Sequence, residues 1–154
     1  MQRSAPSGAA TVVRPEPADQ AAWRRLYDGY AEFYRVPMTD EKATIVWSWL
    51  MDPDHVVKGF LAKLDGNVVG LAHIREMPRP LHAKYGGFLD DLFVAPEARG
   101  SGAAEALFDA MKQLAQERGW DSIRWLTAEN NYRARAVYDR VATKTQWLTY
   151  EIKG

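Results

Sequence analysis

The feature that most constrains this chain is the run GFLDDLFVAPEARGSGAAEALFDAMKQLA, residues 87–115. Gly87–Val94 is an apolar, β-rich stretch and reads as a strand. From Gly102 onward Ala104, Leu107, Phe108, Met111, Leu114 and Ala115 fall on one face at a 3.6-residue period, which predicts a helix, and Gly119 stands just past its end, where a left-handed cap is favoured. A strand that enters a helix through two glycines belongs to an α/β chain. The glycines at 100 and 102 let successive backbone N–H groups converge without Cβ obstruction, and the helix adds unpaired donors and the positive end of its dipole. Such a junction suits a phosphate. Arg99 contributes a planar, permanently charged fork, and Ala103 and Ala104 leave room for a bulky ligand beside the first turn.

Around this unit the chain alternates helical and strand patterns. A short strand is predicted at Thr11–Arg14, after a small-residue arm, Met1–Ala10, expected to be mobile. From Ala18 to Tyr34 the residues Trp23, Leu26, Tyr27, Tyr30 and Phe33/Tyr34 recur at three- and four-residue spacing, an amphipathic helix. Thr39-Asp40-Glu41 predicts a capped second helix carrying Ile45, Val46, Trp49 and Leu50 and ending near Asp52-Pro53. Val56–Leu64 and Val68–Met77 flank Asp65-Gly66-Asn67 as an antiparallel hairpin. Met77–Lys84, with two prolines, reads as a loop. Ser122–Thr127 is a further strand, Asn130–Val141 a further helix and Thr145–Ile152 a final β-run. With 154 residues, 47% of them hydrophobic, and no repeat or linker, residues 11–154 read as one domain.

Composition removes several function classes. Twenty basic residues balance twenty acidic ones, so no overall field draws the chain to nucleic acid, and a bound anion must be captured locally. The lack of cysteine excludes disulfides, thiolate zinc sites and cysteine nucleophiles and fits a reducing cytoplasm. His55, His73 and His82 share no motif, so no metal is expected. No apolar run is long enough to span a membrane. Among phosphate loops, a Walker motif fails because no Gly-Lys-Ser/Thr occurs. A dinucleotide fingerprint is weak, because Glu105 falls where a third glycine or alanine belongs, and Asp121 precedes the next strand instead of ending it. A plain tight turn remains the duller alternative.

The pattern Arg99-x-x-Gly102-x-Ala104 resembles the acetyl-CoA loop of the GNAT superfamily of N-acetyltransferases. LDDLFVAPEARG, residues 89–100, resembles that family's fourth strand and its run into the loop, and Asn131-x-x-Ala134-x-x-x-Tyr138 resembles its second signature helix. Phe88–Val94 is most similar to polyamine and other small-amine acetyltransferases. One departure stands out. Tyr138 is followed by Asp-Arg-Val-Ala-Thr-Lys-Thr instead of the family's usual Gly-Phe turn. The resemblance implies a mixed, mostly antiparallel sheet splayed between its fourth and fifth strands beside Val94, with helices on both faces and acetyl-CoA in the splay. It implies that acetyl-CoA is held by Leu92, Phe93, Val94, Arg99, Gly100, Ser101, Gly102, Ala103, Ala104, Asn131, Ala134 and Tyr138. In that family the first helices wall the acceptor site, which points to Tyr30, Phe33, Tyr34 and Asp90 for substrate.

The chemistry follows from residue types. A primary amine, with a pKa of about 10.4 in lysine, is protonated near neutrality and must lose a proton before it attacks a thioester. Attack generates an oxyanion, best met by a backbone N–H, which the resemblance places near Val94, and the departing thiolate needs an acid. Tyr138 can supply that proton. Asn131, Ala134 and Tyr138 share one helical face, and the small alanine leaves space beside the tyrosine. For proton removal Asp90, Glu129 and a water chain stay open: Asp90 and Asp91 adjoin on a strand and point to opposite faces, and the small-amine resemblance selects Asp90. The expected activity is direct acetyl transfer to a small-molecule amine or protein lysine in a ternary complex, the alternative being a non-catalytic CoA-binding or partner-binding module. The two apolar faces of Thr145–Ile152 point to a homodimer.

Overall fold

The computed structural model describes residues 9–154; most of the arm Met1–Ala10 lies outside the described residues. The order is β1 (Thr11–Val13), a 3-10 turn at Pro17–Asp19, α1 (Gln20–Phe33), α2 (Asp40–Met51), β2 (Val57–Leu64), β3 (Asn67–Arg79), β4 (Lys84–Val94), α3 (Ala103–Arg118), β5 (Ile123–Trp125) and α4 (Tyr132–Val141). Local chemistry sets several boundaries. Thr39 Oγ1 accepts from the Lys42 N–H at 3.1 Å and Asp40 and Glu41 occupy the first turn of α2, the expected cap. Asp65 and Gly66 both take positive φ, 51° and 82°, which lets β2 turn back into β3. Gly119 closes α3 in the left-handed region.

The five strands lie in the order β1-β2-β3-β4-β5. The first three pairings are antiparallel and β4–β5 is parallel. Parallel pairing covers only Gly87–Leu89 against Ile123–Trp125, while β4 runs on to Val94. The two strands therefore part beside Val94, as the resemblance implies. Alternation along the central strands builds a core on each face. Ala62, Ala72, Ile74 and Leu89 pack with Leu107, Met111 and Leu114 of α3. Leu61 and Leu71 pack with Trp23 and Leu26 of α1 and Ala43 and Trp47 of α2.

One irregularity decides which side chains reach the acceptor side. The β3–β4 register shifts, so that His73 opposes Asp91 and Ile74 opposes Leu89, and Asp90 is the extra residue of a β-bulge. Asp91 stays on the α1 face beside His73. Simple alternation would have set Asp90 against Asp91 across the sheet; the bulge instead leaves Asp90 without a ladder partner, exposed, with its carboxylate on Arg75 of β3.

Two expectations need correction. Met77–Lys84 is only half loop: β3 extends to Arg79 and β4 begins at Lys84, so the connection shrinks to the 3-10 turn Pro80–His82 and Ala83. Pro80 opens the turn, while Pro78 lies within β3 opposite Tyr85, near the end of the strand. Thr145–Ile152 forms no strand, and Trp147, Leu148, Tyr150 and Ile152 are 78–98% exposed. Its β propensity is not realised because a strand is stabilised by a paired edge and a covered face, and within the chain this run has neither.

Candidate active site

The parting of β4 and β5 opens a cavity of about 620 Å³, walled by the end of β4, the glycine loop, the start of α3, one face of α4 and the last turn of α1. Gly100 and Gly102 take φ of 80° and 88°, and a Cβ built on either meets nothing within 4 Å. The loop is a concave cradle that side chains would partly fill. Ser101 Oγ accepts from the Ala103 N–H at 3.3 Å, and the other first-turn N–H groups of α3 have no intrahelical acceptor by geometry. A pyrophosphate fits these donors and the dipole behind them.

All twelve residues expected to hold acetyl-CoA line this cavity: Leu92, Phe93, Val94, Arg99, Gly100, Ser101, Gly102, Ala103, Ala104, Asn131, Ala134 and Tyr138. Tyr30, Phe33 and Tyr34 line its other end. Sequence reasoning missed Ala98, Glu105, Arg133, Val137 and Arg140. Arg133, Val137 and Arg140 recur at four- and three-residue spacing, so the helical period of α4 carried that signal. Glu105 looked like a repulsive neighbour for phosphate. Arg140 Nη2 lies 3.0 Å from Glu105 Oε2 and, with the Glu105 backbone, holds that carboxyl below its usual range. Arg133 adds another cation at the wall.

Tyr138 is held by the rings of Trp125 and Phe108, both edge-on, at centroid distances of 5.4 and 6.0 Å. Burial, with a smaller contribution from Tyr34, pushes its phenol up to about 12. It therefore keeps its proton near neutrality, the form that general-acid chemistry requires. Asn131 stands at the N-cap of α4, its carbonyl accepting from the Arg135 N–H at 3.0 Å.

The acceptor end is aromatic. Tyr30, Phe33 and Tyr34 form successive ring contacts of 4.9 and 5.0 Å, and Tyr30 meets Phe93 edge-on at 6.0 Å. The carboxylates divide. Asp90 Oδ2 accepts from Arg75 Nε at 2.9 Å, and its carbonyl accepts from the Tyr30 hydroxyl at 3.3 Å. None of Asp90, Asp91 and Glu129 is among the residues lining the cavity, and Glu129 is exposed in the loop before α4. Asp91, passed over in sequence, is the partly buried one. Burial tends to raise its carboxyl, but His73 and the Tyr27 hydroxyl, both bonded to its Oδ2, outweigh this and hold it below the usual range.

The acetyltransferase (GNAT) family model matches residues 23–142. The chain belongs to the GNAT family. This GNAT protein is an acetyl-CoA-dependent N-acetyltransferase. It is 31% identical over 141 residues to the D-amino-acid N-acetyltransferase of Saccharomyces cerevisiae, covering 90% of this chain and 88% of the yeast protein. It is 31% identical over 117 residues to the aminoglycoside N(6')-acetyltransferase type 1 of Stenotrophomonas maltophilia, covering 73% and 72% of the two chains. Among solved structures, aminoglycoside acetyltransferase AAC(6')-Iy in complex with a CoA-linked bisubstrate analogue matches with a TM-score of 0.83 at 18% identity, over 96% of this chain and 99% of that one. The fold of the GNAT domain is thus shared with that structure. Among the described residues, no helix is long and apolar enough to cross a membrane.

Proposed function

We propose that this N-acetyltransferase moves an acetyl group directly from acetyl-CoA to the primary amine of a small molecule in a ternary complex. The observation that carries the reading is that one cavity joins the free end of β4, the Gly100–Gly102 cradle and the half-buried Tyr138. Arg99 and the loop N–H groups hold the pyrophosphate, with Arg133 as an added cation, and Leu92–Val94 present backbone to the pantetheine chain and the acyl oxygen. Acetyl-CoA supplies the activated acyl group. Tyr138 gives its proton to the departing thiolate. Asp90, on the bulge beside Tyr30, receives the amine's proton through water, since its side chain is turned to Arg75. Glu129 has no part in this scheme.

The D-amino-acid and aminoglycoside acetyltransferases among its relatives favour a small amine acceptor over a protein lysine. The aromatic wall of Tyr30, Phe33 and Tyr34 accommodates such a molecule. The test is release of free thiol from acetyl-CoA across polyamines, D- and L-amino acids, aminoglycosides and lysine peptides. Thiol release dependent on a small amine supports the reading, and CoA binding without turnover on any acceptor would replace it with a non-catalytic CoA-binding module.

We also propose a homodimer. What supports it is the run of exposed Trp147, Leu148, Tyr150 and Ile152 within 145–152, large apolar side chains that a second subunit would cover. A strictly monomeric mass by light scattering at micromolar concentration would overturn this. The cysteine-free sequence is in keeping with a reducing, cytoplasmic location.

A further inference from the structure

Behind the aromatic wall a buried polar chain runs from α1 through β3 to β4. Trp23 and His73 are 1% and 2% exposed. The Trp23 indole N–H donates to His73 Nε2 at 3.0 Å, and His73 Nδ1 lies 2.8 Å from Asp91 Oδ2. The Tyr27 hydroxyl donates to the same oxygen at 3.1 Å. An indole nitrogen can only donate, so Nε2 must accept and the ring proton must sit on Nδ1, aimed at the carboxylate. The arrangement is that of a neutral imidazole. A second ring proton would set two N–H groups against each other in a dry site.

That leaves the charge of Asp91 unmatched. The groups that face it are the Tyr27 and Tyr30 phenols of α1, both raised first by burial and then by Asp91 itself, and His73 of β3. Its neighbour Asp90 is already paired with Arg75 at 2.9 Å. Trp47 of α2 packs on Trp23 and carries no charge. Among the described residues, no lysine or arginine forms an ion pair with Asp91. Its side chain is 19% exposed; it does not itself line the cavity but sits just behind the wall, directly before Leu92, which lines it, as Tyr30 does. A largely buried carboxylate without a counter-ion is costly unless a cation completes it.

We propose that the acceptor's ammonium completes it: Asp91 is the anion that selects a cationic acceptor, and the Trp23–His73 pair is a positioning device that fixes its orientation. This rests on the acetyl-transfer reading for the nature of the ligand. Tyr27 and Tyr30 flank the site and supply ring faces that suit an ammonium. Asp91 binds the cation and leaves removal of the proton to other groups. The relay acts through the tautomer: with Trp23 on Nε2, His73 presents only a donor to Asp91, so the carboxylate keeps its charge for the ligand.

The test has two arms that do not need turnover. In the 15N-labelled wild-type protein at pH 8, long-range 1H–15N spectra should find His73 as the Nδ1–H tautomer; the Nε2–H tautomer overturns the relay. Calorimetry with 1,4-diaminobutane on the CoA-loaded protein should then give binding that falls tenfold or more in Asp91→Asn, with CoA affinity unchanged. Absence of diamine binding in the wild type, or equal binding in a folded Asp91→Asn protein, overturns the anion role. His73→Asn keeps an N–H donor and should bind the diamine within threefold of wild type, while His73→Leu should lose tenfold. Equal loss in both would make His73 a packing residue only. Thiol-release assays of the wild type report separately on acetyl transfer, so the failure of one reading is distinguishable from that of the other.

Discussion

Replacing Gly102 separates the backbone demand of the anion loop from its electrostatics. Gly102 has φ of 88°, and a Cβ there meets nothing within 4 Å. Gly102→Ala therefore introduces no clash and costs mainly left-handed strain, about 1–2 kcal/mol. For a domain of this size that lowers Tm by roughly 2–8 °C. Gly102→Glu carries the same strain and adds a carboxylate at the mouth of the cradle. At about 5 Å from a phosphate charge and an effective dielectric of ~20, the repulsion is about 3 kcal/mol, or roughly a hundredfold in affinity. The two variants should thus melt within a few degrees of each other yet differ about a hundredfold in CoA dissociation constant. The gap should narrow in high salt as the repulsion is screened. Isothermal titration with CoA at two ionic strengths, with melting curves alongside, measures both quantities. If Gly102→Glu is folded and binds CoA within twofold of Gly102→Ala, the pyrophosphate does not lie against this loop and the assignment of the cavity is wrong.

Tyr138→Phe removes a hydroxyl and almost no volume, so kcat should fall about 10²-fold with CoA binding nearly intact; full turnover with chemistry rate-limiting would dismiss the tyrosine as acid. Because burial raises Tyr138 to about 12, its contribution to stability is fully present below its ordinary pKa of 10.0 and is lost as pH rises through 12. Tyr27 and Tyr30 shift in the same direction. Denaturation measured between pH 9 and 12 should show the decline, shallower in Tyr138→Phe. Arg140→Ala leaves Glu105 unneutralised at the cavity and should weaken CoA binding several-fold, with Glu105→Gln in the same protein restoring most of it; additive losses would mean that the pair has no bearing on the ligand. Gly87→Ala puts a Cβ 2.5 Å from the Trp120 ring, an overpacking expected to cost about 1–3 kcal/mol in chemical denaturation, and an unchanged midpoint would refute the close packing.

The cradle and the signature helix were legible in sequence because their determinants are local. Two glycines next to a 3.6-period run specify left-handed turns and an exposed helix N-terminus wherever they occur, and Asn131, Ala134 and Tyr138 share a face by the helical period alone. The hairpin at Asp65-Gly66 and the cap at Thr39 were readable for the same reason. The carboxylates were not. Which of Asp90 and Asp91 meets His73 depends on a bulge in β4, and a bulge is defined only by the partner strand that the shifted register meets. The neutralisation of Glu105 by Arg140, thirty-five positions along the chain, needed α3 and α4 to be set side by side. His73, with no motif of its own, gained a partner on each ring nitrogen only when α1 was laid across β3 and β4. The run 145–152 marks the same limit from the other direction. Its strand-like composition is a property of the sequence, but a strand is a pairing, and pairing is decided by which edges the tertiary structure leaves within reach.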